Sequence, residues 1–148
     1  MRQLTQKTKT ILAKTAVAAG ASDITDATAI DTSGYEGVRF IFAFGTITAG
    51  AATSVAACSL DTNSPTPGTD DIAGSKITVV DTADDSIFII DIHKPVKRYV
   101  RPFVKRATQN AVVNSIVAEL YGPHVMPVVK DTTTTGQNLL AGPANGTA

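Results

Sequence analysis

Apolar and smaller or polar side chains alternate most clearly along Val38-Arg39-Phe40-Ile41-Phe42-Ala43-Phe44, where Val38, Phe40, Phe42 and Phe44 fall on one face of an extended chain. This pattern predicts a central strand whose aromatic face lies in the core. Gly45 and Gly50 bracket a turn around Thr46-Ile47-Thr48, and residues 54–60 then read as the returning strand. Between Asp61 and Gly74, the breakers Asn63, Pro65, Pro67, Gly68, Asp70 and Asp71 predict a long surface loop. Residues 76–80 predict a short strand and residues 81–85 an acidic turn. The unbroken apolar run Ser86-Ile87-Phe88-Ile89-Ile90 predicts a strand buried on both faces and hairpinned to the one before it.

Further along, Arg98, Val100, Val104 and Arg106 alternate with Lys97, Tyr99, Arg101, Phe103 and Lys105, so neither face of this segment is purely apolar. Pro102 lacks the N–H that a ladder requires, which places this strand at a sheet edge or gives it a bulge. Residues 111–121 form a last Val/Ile-rich strand ended by Gly122-Pro123, and residues 27–31 a brief one near the start. No segment has a convincing amphipathic helical period. Many short strands separated by Gly, Pro and Asp turns imply an all-β fold, an antiparallel β-sandwich or jelly-roll-like barrel. The organisation reads as an N-terminal arm or first strand over 1–22, a β-sandwich domain over 23–128 and a low-complexity C-terminal tail over 129–148. The tail, with its Thr132 to Thr135 run and Gly142-Pro143, is expected to order only against a partner, if at all.

Composition narrows the function classes. The 148 residues suffice for one core without metal or disulfide support. Thirteen basic residues balance thirteen acidic ones, so the whole molecule lacks the positive field of a dedicated nucleic-acid binder. Cys58 is the single cysteine, which excludes an internal disulfide and a cysteine-based zinc site; set among Ala56, Ala57 and Leu60, it reads as a small buried apolar residue. Lys14 and Thr15 interrupt the apolar stretch near the N-terminus, against a secretory signal, and no segment is long and apolar enough to cross a membrane.

Candidate chemistry is sparse. Asp91 and His93 share a strand face by period two, so the carboxylate could orient the ring for a hydroxyl nucleophile; no nucleophile elbow accompanies them, and a surface charge pair is the plainer reading. Asp70-Asp71 and Asp81 with Asp84-Asp85 lack the spacing of a calcium loop and read as solvated turns. No catalytic residue, metal ligand or cofactor is assigned. The distinctive feature is charge polarity: Lys94, Lys97, Arg98, Arg101, Lys105 and Arg106 follow an Asp-rich stretch with no acidic residue among them. They suit a phosphate-contacting strip with Tyr99 and Phe103 as stacking platforms, edge charges that block aggregation, or a basic protein interface complementary to acidic loops.

Tyr35-Glu36-Gly37-Val38-Arg39-Phe40-Ile41, Gly45-Thr46-Ile47-Thr48-Ala49-Gly50, the loop ending Asp71-Ile72-Ala73-Gly74, and Arg98-Tyr99-Val100-Arg101-Pro102 with Lys105-Arg106-Ala107 together resemble small virion proteins of tailed bacteriophages, over about residues 35–125. The resemblance is to the capsid cement or decoration type. It implies a β-sandwich on the outer face of the head shell, bound to the major capsid protein and to itself, commonly as a homotrimer, with extended ends reaching across capsomer seams. On that view Lys97, Arg98, Arg101, Lys105 and Arg106 meet acidic protein surface, and the genome and membranes are not partners. A tail or head-tail connector component is the neighbouring alternative, and a single-stranded nucleic-acid-binding β-domain the alternative from another class.

Overall fold

The computed structural model describes residues 4–137. A short 3₁₀ turn at Leu4–Gln6 precedes eight strands: β1 (Lys9–Lys14), β2 (Ile30–Asp31), β3 (Tyr35–Phe44), β4 (Thr53–Leu60), β5 (Ile77–Val79), β6 (Ile87–His93), β7 (Tyr99–Lys105) and β8 (Val113–Pro123). They form two four-stranded antiparallel sheets, sheet I in the order β1-β8-β3-β6 and sheet II in the order β2-β7-β4-β5. Successive strands from β2 onward mostly cross between sheets instead of turning back on themselves, the double Greek-key order of a jelly roll.

The aromatic face of β3 explains why the sheets close. Val38, Phe40 and Phe42 are 0% exposed and Phe44 is 2% exposed. They meet Ile116, Ala118 and Leu120 of β8 in sheet I and Val55, Ala57, Val79, Val100 and Val104 from sheet II in one core. Each fully buried side chain of this kind contributes about 2 kcal/mol by leaving water.

Three sequence expectations change. First, β4 does not return beside β3; the 45–52 connection carries the chain across to sheet II. Second, β5 and β6 are not a hairpin, since they lie in different sheets, and β6 is not buried on both faces. It forms one edge of sheet I, with Ile87 62% and Ile89 44% exposed while Ile90 is 6%. A continuous apolar run cannot by itself distinguish a doubly buried strand from an edge strand with an apolar outer face. Third, β7 lies inside sheet II, between β2 and β4. Val104 N–H donates to Ile24 O, so by period two the donor that Pro102 lacks would face the same side. There the neighbouring pairing is interrupted between the isolated bridge at Ile24 and β2 at Ile30, so no ladder bond is lost.

At the N-terminal end the first-strand alternative is the one observed, and part of the expected tail is ordered against it. Residues 9–14 are a strand of the sandwich itself. Part of the C-terminal segment lies along the outer edge of β1: Leu12 N–H donates to Thr133 Oγ1 at 3.0 Å, Thr134 Oγ1 donates to Thr10 O at 2.9 Å, and Lys9 pairs with Asp131 at 3.4 Å. The remainder of the predicted tail, from residue 138, lies outside the described residues.

Candidate protein-interaction surface

The basic residues singled out from the sequence lie on or beside β7, and the fold already uses most of them. Arg98 donates to both carboxylate oxygens of Asp31, at 2.9 and 2.7 Å, and its guanidinium sits 5.1 Å from the Tyr99 ring centre. The bond from Arg98 is the main reason the Asp31 carboxyl lies below the ordinary range. Lys97 pairs with Asp61 at 2.6 Å. Arg106 donates to the carbonyls of Ser22, Ala18 and Ala111, clasping the long β1–β2 connection to the end of β7. Arg101 is half-buried beside Cys58, whose thiol donates to its carbonyl at 3.6 Å. Lys105 is exposed, 5.7 Å from the Phe103 ring centre.

Phe103 is only 1% exposed, in a small cluster with Ala56 and Cys58 on the outer side of sheet II. It therefore offers no face for a base to stack on, which removes one of the two platforms of the nucleic-acid reading. Burial pushes the Cys58 thiol up to about 11. That thiol is a packing group and not a nucleophile at neutral pH.

The acidic turns serve the backbone. Asp84 accepts from Ile47 N–H at 2.6 Å, Asp70 from Thr66 N–H at 2.7 Å, and Asp71 from Gly68 N–H at 2.6 Å. Asp81 accepts from Gln109 Nε2 at 2.7 Å. Among the described residues no three His, Cys, Asp or Glu side chains gather as a metal site.

Sheet I presents a different surface, which register makes readable. On its outer face Leu12, Val117, Ile41 and Ile89 stand side by side across all four strands. Ser115, Ala43 and Ile87 form the next row. Leu12 is 38% exposed, and Val117 and Ile41 are partly exposed. On the other side of the apolar row comes a charged one, Thr10, Glu119, Arg39 and Asp91, in which Arg39 and Glu119 are bonded. A third row holds Tyr121, Gly37 and His93. A Cβ on Gly37 would collide with the Tyr121 side chain, so the glycine lets that ring cross β3 and stack on His93 with 6.3 Å between centres, while its hydroxyl donates to Asp91 at 2.7 Å. Asp91 is thus engaged by Tyr121 and not by His93, and the arrangement considered for hydroxyl activation is not formed. Burial, reinforced by the bond to Asp91, pushes the Tyr121 hydroxyl up to about 12.

The apolar row was missed in the sequence because it is assembled from four strands. Ile41, Val117 and Leu12 each look like minor-face residues until the register aligns them.

No family model and no curated protein matches the chain. Among solved structures, a chain from Bacillus endospore appendages, described as a novel family of disulfide-linked pili, matches with 10% identity and a TM-score of 0.41, covering 83% of this chain and 96% of that one. That likeness is too slight to carry an argument about function.

Proposed function

We propose that this chain is a structural subunit of a tailed-phage particle, of the capsid cement type, which binds the major capsid protein on the outer surface of the shell and acts without catalysis. The observation that carries this reading is the Leu12-Val117-Ile41-Ile89 row. An apolar stripe across the outside of a sheet whose inner face already fills the core contributes nothing to that core. It lowers the free energy only when another surface covers it. The neighbouring Arg39, Glu119 and Asp91 supply a polar border of the kind that orients such contacts.

Support from the sequence is the resemblance of the Tyr35–Ile41 and Arg98–Pro102 segments to small virion proteins. The jelly-roll strand order recurs in capsid, lectin and cupin domains alike, so it is compatible with this reading without selecting it. Exposed Lys105 remains available to an acidic protein surface, whereas Arg98, Lys97 and Arg106 shape the subunit first.

The test is particle occupancy. Leu12→Glu with Val117→Glu places two carboxylates on the outer stripe and leaves the core side chains unchanged. Bound subunit per particle is expected to fall at least about tenfold, the consequence of losing roughly 1.4 kcal/mol or more at each contact. Full occupancy by a normally folded double variant would refute the assignment of this face.

A further inference from the structure

We propose that β6 is a self-association edge: two copies pair their β6 strands antiparallel about a two-fold axis at Ile89, joining two four-stranded sheets into one of eight.

The edge is open in a specific way. Phe44 N–H donates to Ser86 O and Lys94 N–H to Glu36 O, so the even-numbered residues of β6 bond to β3. Ile87, Ile89, Asp91 and His93 therefore turn their own N–H and C=O groups outward. Among the described residues no backbone hydrogen bond reaches that side. A groove of about 420 Å³ between Ile89–His93 and residues 72–77 leaves it accessible. The opposite edge of sheet I contrasts with it, because β1 is capped by Thr133 and Thr134. β6 also has no lysine or proline within Ile87–His93, and Ile87 and Ile89 are exposed on it.

Charge selects a second copy as the occupant and fixes the register. The strand is bounded by Asp84 and Asp85 at one end and Lys94 at the other, all exposed, with Asp85 and Lys94 both at φ 50° where the chain turns away. In antiparallel self-pairing, positions equidistant from the axis oppose each other. An axis at Ile89 sets Asp84 and Asp85 of each copy against Lys94 and His93 of the other, twice per dimer. Asp91 then faces Ile87. An axis at Asp91 would oppose two carboxylates directly, which is destabilising. The Ile89 register also makes the apolar rows of the two copies continuous, doubling the stripe on which the proposed particle contact rests. The symmetry is two-fold, unlike the trimer that the resemblance implies.

Sedimentation equilibrium of the full chain in solution tests this without capsid, so its outcome is separate from particle occupancy. A monomer–dimer equilibrium is expected over about 1–100 μM. Ile89→Lys, which sets two ammonium groups against each other, should weaken it at least about tenfold with an unchanged far-UV circular dichroism spectrum. Lys94→Asp, at an exposed position beyond the end of the strand, sets a carboxylate against Asp84 of the other copy and should weaken it as well; this variant decides the matter if Ile89→Lys fails to fold. A monomer throughout, or an oligomer indifferent to Ile89→Lys and to Lys94→Asp, would overturn the proposal.

Discussion

Gln109 ties together segments that are remote in the chain. Fully buried, it accepts from Thr53 N–H at 3.1 Å through Oε1, while its Nε2 donates to Val79 O at 3.0 Å and to Asp81 at 2.7 Å. One amide thus holds the start of β4 to the end of β5. Gln109→Ala should cost about 2 kcal/mol in denaturant unfolding, because a buried backbone N–H and carbonyl lose their partners. Nothing marked this residue in the sequence: it lies in a loop, where no periodicity separates a buried amide from a solvated one. Cys58 was readable from its small apolar neighbours, and its thiol should resist alkylation at pH 8 in the native protein and react fully once unfolded. Tyr121 gives a test at alkaline pH. Its folded pKa of about 12 lies above the ordinary 10.0, so the fold favours the protonated hydroxyl. The stability it contributes is complete below pH 10 and is lost as pH rises towards 12. Tyr121→Phe should remove that component from the alkaline unfolding profile and delete one late-titrating phenol from the ultraviolet titration.

At the level of strands, the pattern was read correctly where one face carries the large aromatic side chains and the other smaller or mixed ones. β3 is the case: Val38, Phe40, Phe42 and Phe44 all reach the core as the period of two requires. The pattern misled where both faces are apolar for different reasons. In β6, Phe88 and Ile92 pack on the core while Ile87 and Ile89 face outward, and the sequence contains no signal for which half is covered. Pairing was harder still, because a strand's neighbours in a jelly roll come from distant parts of the chain. β3 pairs with β8 and β6, and β4 with β7 and β5. Pro102 has no N–H to donate, yet this does not put β7 at an edge: β7 is interior, and the stretch opposite Pro102 falls in the gap before its short neighbour β2, where no ladder bond is required. The outward amides of β6 give this account a strand-level check. In a dilute sample, the N–H groups of Ile87, Ile89 and Asp91 should exchange with deuterium rapidly while those of Phe88, Ile90 and Ile92 are protected, and concentrating the protein should slow the first set alone.

For the whole molecule, the outer faces of the two sheets differ in character. On the side of sheet II, Arg98 is tied to Asp31 and Arg106 to three carbonyls of the same chain, which stiffens the subunit, while Lys105 stays exposed. Sheet I carries an apolar row that its own core does not use. The sequence made the polarity of charge visible and suggested the basic strand as the contact; the alignment of Leu12, Val117, Ile41 and Ile89 is a property of the assembled sheet. The most direct test of the central claim is cryo-electron microscopy of intact particles carrying this protein, at a resolution that traces strands. The account predicts jelly-roll density on the outer head shell with the outer face of sheet I against the capsid protein. Density at the tail alone, a subunit seated on sheet II with the apolar row facing solvent, or absence from the particle would contradict it.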